Sequence, residues 1–545
     1  MPITQTSRLV QVIVSVGALL CTSNHARAEA SSQPEKWTGH IDLEGKAGTD
    51  RNLGETDLFI PLWQDDDTLT FTSLRARMDD NNSHEGNFGL GIRQMLDNGW
   101  NIGGYGYFDR RHSPYGNKFN QITVGVEALS MNWDLRANGN VPIGTTNYVE
   151  DNLSSVDFSG TSIMYSQGEE RALRGFDGEI GWRVPLFDTD AGQQLRAYAG
   201  GYRFTGSNAD TVQGPRGRID LTFDEIPFLW AGSRFSLGAE IQHDDPRGSQ
   251  GFASFRLRIP LQGLGDTPKP KLTAMERRMT DPIIRDIDIV NQAGTFTTAE
   301  EITETADGKT ITLLNSDTTT GANLATAIAN AGVNSTIVLN GDYTGVNSVA
   351  TVQDGQTIIG GGALDIKTPS GRSIAVAIPN ASLSGSGSNG GGGSSRFFDM
   401  ADNSSLIGVT ASITSTLSAT IAKIDGKQNV TIKDSPLKVT SNSTASGIQI
   451  SGSSDVKIDN NNITVVSNGA NSQFATFQGT NANIAIDDNT VSMTAATSNY
   501  YLLFAGGAEV SNFSGTGNTS NDTSCHDGSA GPITGSVTTN GITCP

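Results

Sequence analysis

The strictest constraint on this chain is a pair of alternating runs at residues 120–142, NQITVGVEALSMNWDLRANGNVP. Ile122, Val124 and Val126 alternate with Thr123, Gly125 and Glu127. Almost immediately, Met131, Trp133, Leu135 and Ala137 alternate with Asn132, Asp134, Arg136 and Asn138. A period of two places the two sets on opposite faces of a strand. One face is apolar, and the other carries amides and charges of both signs. That suits a barrel with lipid outside and a wet interior.

At 545 residues the chain exceeds one ordinary core, so two or more domains are expected. All six Trp precede residue 231, which marks two regions of different character. Residues 291–545 hold 9 Lys plus Arg against 19 Asp plus Glu. With a net charge of -20, the chain is a poor partner for nucleic acid, and none is expected.

The N-terminus reads as a signal peptide over residues 1–28. Arg8 precedes an apolar run, LVQVIVSVGALLC, and Ala26-Arg27-Ala28 offers small residues at a cleavage site. The run is short for a membrane-spanning helix. Bulky Leu20 before Cys21 argues against lipidation. Residues 29–39 would then be a short periplasmic segment. Two cysteines remain after cleavage, Cys525 and Cys544, and they suit one disulfide in an oxidising compartment. Two free thiols are the alternative.

Twelve strands fit within residues 40–262. The polar face of the later ones carries Asp177, Glu179 and Arg183, then Arg218 and Asp220, then Glu240, then Arg256 and Arg258. With Glu127, Asn132, Asp134, Arg136 and Asn138, these are the expected lumen residues. The third strand breaks the apolar phase near Thr72 and Ser73, where a bulge is expected. Residues 145–170 read as a long, polar, irregular loop. The even-to-odd turns are mostly short, as periplasmic turns are. Trp63, Trp100, Trp133 and Trp230 fall near that end and suit an aromatic girdle. The alternative is a soluble antiparallel sheet with these charges on its solvent face.

Several ordered motifs resemble the β-domain of inverse autotransporters, the intimin and invasin family. They are DLFIPLWQDD from Asp57, LTFTSLRARMDD, FGLGIRQML, VGVE from Val124 and WDLRANGN from Trp133. The resemblance implies a twelve-stranded outer-membrane barrel inserted by periplasmic chaperones and barrel-assembly machinery. It also implies that a linker, residues 263–292, passes back up the lumen with a short helix. LTAMERRM, residues 272–279, can form two turns before Pro282, and carries Glu276, Arg277 and Arg278. Arg256 and Arg258 could pair with Glu276. Family passengers sit outside the cell, commonly as adhesins. This chain departs from the family's larger members: it has no room for a peptidoglycan-binding module before the barrel, and its passenger is not a string of immunoglobulin-like domains.

In residues 293–545 short strands recur, and NVTIKD, DVKIDNN and NIAIDDN share a form. Their isoleucines, Ile432, Ile458 and Ile486, are 26 and 28 residues apart, about one coil of a parallel β-helix. ANLATAIANA, residues 322–331, suits a helix capping the first coil. GQTIIGGG, residues 355–362, resembles the opening turns of pectate-lyase-like domains. The tail closed by Cys525 and Cys544 could cover the last coil. The expected fold is thus all-β, a twelve-stranded antiparallel transmembrane barrel followed by a right-handed parallel β-helix.

Neither Gly360–Gly362 nor Gly390–Gly393 has the Lys-Ser/Thr of a phosphate loop. Asp365, Asp434, Asp459, Asp487 and Asp488 are the carboxylates a glycan-active site would draw on, but basic partners are sparse. None of them has the ligand spacing of a dedicated calcium loop. The expectation is therefore no enzyme, no cofactor and no metal. The barrel exports its own passenger to the cell surface, where it binds an unknown protein or glycan. The alternatives are a passive pore with a periplasmic β-helix and a surface glycan-active enzyme.

Overall fold

A computed structural model describes residues 36–189, 191–226, 228–261, 272–285, 288–388, 394–528 and 531–544. The signal peptide, most of the short segment after it and Gly390–Gly393 lie outside the described residues. The chain divides into two compact units. One combines the chain up to residue 148 with residues 170–292; the other combines residues 149–169 with 293–545.

The first unit is a closed antiparallel barrel of twelve strands. They are His40–Gly48, Leu53–Gln64, Thr68–Asp79, His84–Met95, Trp100–His112, Lys118–Ser130, Trp133–Ile143, Arg174–Val184, Gln193–Thr205, Val212–Asp224, Arg234–Asp244 and Gly248–Pro260. The first strand closes on the twelfth, with Ile41 opposite Ile259 and Leu43 opposite Leu257. The alternation sorts as the period of two requires. Val124, Val126, Phe176 and Ile241 stay about 60% exposed, while Thr123, Asp134 and Asp177 are buried inside. An apolar belt this open is a lipid-facing surface.

Three expectations need correction. The bulge lies at Pro61/Trp63 in the second strand, and the third carries no extra residue and pairs in unbroken register with the fourth. Leu69, Phe71 and Ser73 all face inward, so the phase never breaks. Phe71 joins Trp37, Phe59, Tyr105, Tyr107, Met279 and Ile283 in an apolar cluster inside the barrel. The apparent phase shift arose from equating apolar with outside. Asn132 is exposed in the turn between the sixth and seventh strands and is not a lumen residue. Residues 145–170 are not irregular either, since they contain the strands Ser155–Ser159 and Ser162–Ser166, paired as a hairpin about Gly160.

Glycines make room for the inward rings. Tyr105 lies opposite Gly125 and Tyr107 opposite Gly89, and a Cβ on either glycine would collide with the ring. At the short-turn end, Asp65 accepts hydrogen bonds from the backbone N–H groups of Asp67 and Thr68. These bonds hold its carboxyl below the usual range.

The second unit is a parallel β-solenoid with three strand faces. Ile432, Ile458 and Ile486 stack in register and are fully buried. They belong to one interior column shared by all three faces. Asn403, Asn429, Asp455, Asn483 and Asn512 hold left-handed backbone at successive corners, with φ between 53° and 55°. Asn and Asp tolerate that conformation best after glycine. Inside the coil, Asn461, Asn489 and Asn518 form a second ladder. Each amide oxygen takes a backbone N–H from the coil before, at 3.0 Å for Asn461, 3.0 Å for Asn489 and 2.9 Å for Asn518. The helix Leu324–Asn330 buries Leu324 and Ile328 against the first coil. Cys525 and Cys544 form a disulfide that ties the strand Cys525–Asp527 to the last strand.

Candidate functional site: the filled lumen

The barrel interior is a lattice of ion pairs that join adjacent strands and strands next but one. Glu127 takes Arg93 at 2.5 Å and lies 3.7 Å from Arg136; Arg136 pairs with Glu179 at 2.9 Å and Arg218 pairs with Glu179 at 2.8 Å. Asp177 accepts from Asn138 at 2.9 Å and from Arg216 at 3.4 Å. Arg258 binds Asp42 through two bonds of 2.9 Å, and Arg256 pairs with Glu44. Glu240 pairs with Lys46, and Asp220 with Arg218. Arg183 instead donates to the carbonyls of Phe187 and Asp188 in its own turn.

The described part of the segment after the twelfth strand, residues 272–285 and 288–291, lies inside this lattice. Its helix is Ala274–Arg278, shorter than the two turns the sequence allows. Thr273 caps it, and the Glu276 side chain returns the bond to the Thr273 N–H. That capping box satisfies two of the free donors at the helix start, the N–H groups of Thr273 and Glu276. Glu276 pairs with Lys36 at 2.8 Å, so the pairing expected with Arg256 and Arg258 does not form; those arginines are held by Glu44 and Asp42. Arg277 donates to the Leu272 carbonyl at 3.1 Å. Arg278 binds Asp134 at 2.6 Å and Asp281 at 3.0 Å.

Beyond the helix the segment climbs the lumen. Asp281 pairs with Arg234 at 2.7 Å, and its carbonyl accepts from Arg93. The Ile283 carbonyl takes Arg75 and the Ile284 carbonyl takes Asn138. Arg285 grips Asp109 with two bonds, and Asp288 sits 2.5 Å from Arg51, 3.2 Å from Arg77 and 3.8 Å from Arg111. The order along the fifth strand gives the direction. The Met275 carbonyl meets Asn101, Arg285 meets Asp109 and the Ile289 carbonyl meets Arg111. Asn101 to Arg111 is about 33 Å of strand at ~3.3 Å per residue. The segment therefore runs from the short-turn end to the opposite rim. Beside it remains a cavity of about 110 Å³ lined by Arg75, Arg216, Arg218, Glu240 and Arg256.

Asp281, Arg285 and Asp288 are lumen-binding residues of the linker beyond those the sequence points to. Their signal is available in DPIIRDIDIV, where they are three of four charges, with Asp286, set among apolar residues that otherwise suggest a buried strand.

Residues 13–220 match the family model described as the inverse autotransporter β-domain. The barrel is an inverse autotransporter β-domain. Joined to this β-domain is the β-solenoid, so the chain is an outer-membrane protein that displays a surface passenger. No curated protein matches the sequence. Among solved structures, the chain is similar to a membrane protein from a study of in-meso crystallization, at 15% identity and TM-score 0.36 over 47% of this chain and 100% of that one. It is also similar to the translocator domain of the autotransporter NalP from Neisseria meningitidis, at 10% identity and TM-score 0.24, over 47% and 98% of the two chains. The NanC porin follows at 12% identity and TM-score 0.26, over 40% and 98%.

On the passenger, the carboxylates are dispersed and most have local structural roles. Asp434 and Asp488 hold left-handed corners, Asp459 pairs with Lys433 at 3.3 Å, and Asp487 accepts the Thr516 N–H at 2.9 Å. Asp365 belongs to the separate hairpin Gly362–Lys367 and Ser373–Ile378. Among the described residues, no three His, Cys, Asp or Glu side chains gather as metal ligands.

Proposed function

We propose that residues 263–292 anchor the exported passenger by locking into the lumen, and that the passenger acts as an adhesin for a surface protein or glycan. The observation that carries the anchoring role is the ordered climb of Arg278, Asp281, Arg285 and Asp288 through lumen charges. A passive pore is disfavoured, because its lumen would not be filled by its own chain. The solenoid offers long flat faces, which suit binding better than the dispersed carboxylates suit catalysis. Trp63, Trp100, Trp133 and Trp230 form the girdle at the inner interface, joined by Trp182 directly opposite Trp133. Residues 1–28 direct the chain to the periplasm, where chaperones and the barrel-assembly machinery receive it. Both an intimin/invasin-type parentage for the β-domain and a pectate-lyase-like one for the passenger fit this reading.

Adhesion is tested by comparing cells that carry the full chain with cells that carry residues 1–292 only, on arrays of glycans and matrix proteins. Retention of the full chain alone supports the reading. Equal retention of both contradicts it.

A further inference from the structure

One outward column of the solenoid changes character along its length. Leu313, Val338, Ile359 and Ile407 stack in register and continue as Lys433, Asp459 and Asp487. The later coils carry charges there, as a solvated face should. The first coils carry large aliphatic side chains, and Leu313, Val338 and Ile359 are no more than 3% exposed. Something covers them.

Part of the cover comes from the loop between the seventh and eighth barrel strands in sequence. Residues 149–169 belong to the passenger unit. The hairpin Ser155–Ser159 and Ser162–Ser166 is extended by the passenger strand Glu300–Ile302, with Ile163 opposite Ile302 and Tyr165 opposite Glu300. Ile163 and Tyr165, at 1% and 3% exposure, pack with Ile302 in the cluster that holds Leu313, Val338 and Ile359. Val156 and Phe158 border it. At the margins Ser162 donates to Glu301 at 2.6 Å, and Arg372 pairs with Asp151 at 2.6 Å.

We propose that the 155–166 hairpin is the folding template of the passenger. A coil cannot bury its own face, and a solenoid grows by adding coils to one already formed. The loop is tethered between two barrel strands, so it is in place once the barrel has closed, before residues 300–378 are drawn out. It offers the emerging chain an edge to pair with and an apolar surface for its first coils. Each later coil then stacks on the one before. The proposal rests on surface display of the passenger, and its test separates the two.

The variant Ile163→Ser with Tyr165→Ser, made in the full chain, removes the apolar surface and keeps the loop. Antibody staining of a C-terminal tag on intact cells reads display; heat-dependent gel mobility reads barrel closure. Folding is read on purified protein in detergent as regain of protease resistance by the passenger after dilution from urea. The template role predicts regain about tenfold slower or more, with the barrel closed, because the change falls in the folding nucleus. Regain at the parent rate overturns it. A second variant, Asp151→Ala, loses only a half-exposed ion pair and should regain resistance at the parent rate; slowing as great as in the double variant would place the effect in the loop's electrostatics and overturn the apolar template. An unstained tag on the parent chain would instead be a failure of display.

Discussion

Arg285 of the linker holds Asp109 of the fifth strand with two hydrogen bonds, 2.8 and 3.0 Å long, and neither side chain reaches bulk solvent. Asp109 also accepts from Asn87 and Thr123, so the carboxylate is fully engaged. Removing Arg285 leaves a buried carboxylate without its counter-charge, which costs about 3–5 kcal/mol. Arg285→Ala should therefore lower the temperature at which the barrel changes gel mobility. Pairing it with Asp109→Asn should recover part of the loss. An unchanged transition in Arg285→Ala would mean that the linker does not hold the lumen.

Asp288 gathers Arg51, Arg77 and Arg111 near the far rim. In Asp288→Ala three guanidinium groups lose a shared acceptor, and the linker loses its upper tether. Planar bilayer recordings should show rare openings in the parent and frequent ones in the variant. The remaining cavity is rich in arginine, so the openings should favour anions. Equal conductance in both proteins would contradict the tether.

Much of the barrel was legible because a lipid-facing strand must alternate. The reading failed where that rule has a second solution. Leu69 and Phe71 are apolar and point inward, because the short-turn end of the lumen packs against Trp37 and Met279. The 155–166 hairpin reads as irregular in the polar sequence around it, although Val156 and Phe158 alternate, then Ile163 and Tyr165, about Gly160. Its apolar face has no partner nearby in sequence; the partner lies more than a hundred residues on. The Glu276 pairing failed for the same reason, since proximity in a lumen cannot be read from charge alone. The solenoid spacing was legible because stacked coils repeat the same buried column.

Within the solenoid, Asn489 donates to the carbonyls of Ile458 and Asp487 at 2.8 Å each and accepts the Asn461 N–H at 3.0 Å. Asn489→Ala leaves these buried groups unsatisfied, at about 1–3 kcal/mol each before relaxation. The urea concentration at which the passenger loses protease resistance should fall clearly. Asn468→Ala, an exposed corner position, should barely move it.

The Cys525–Cys544 disulfide closes the last coil, and Cys544 is buried beneath it. Its loss should cost about 2–4 kcal/mol locally. Amide exchange in Cys525→Ser should rise first in residues 509–544 and leave residues 405–467 protected. Uniform loss of protection would show that the tail supports the whole solenoid rather than its end.

The central claim is that the linker threads the barrel and leaves the passenger outside. Protease shaving of intact cells tests it most directly, with an epitope tag placed after Ala530. The account predicts that the tag is lost while the barrel stays protected. A tag that resists until the outer membrane is broken would contradict it.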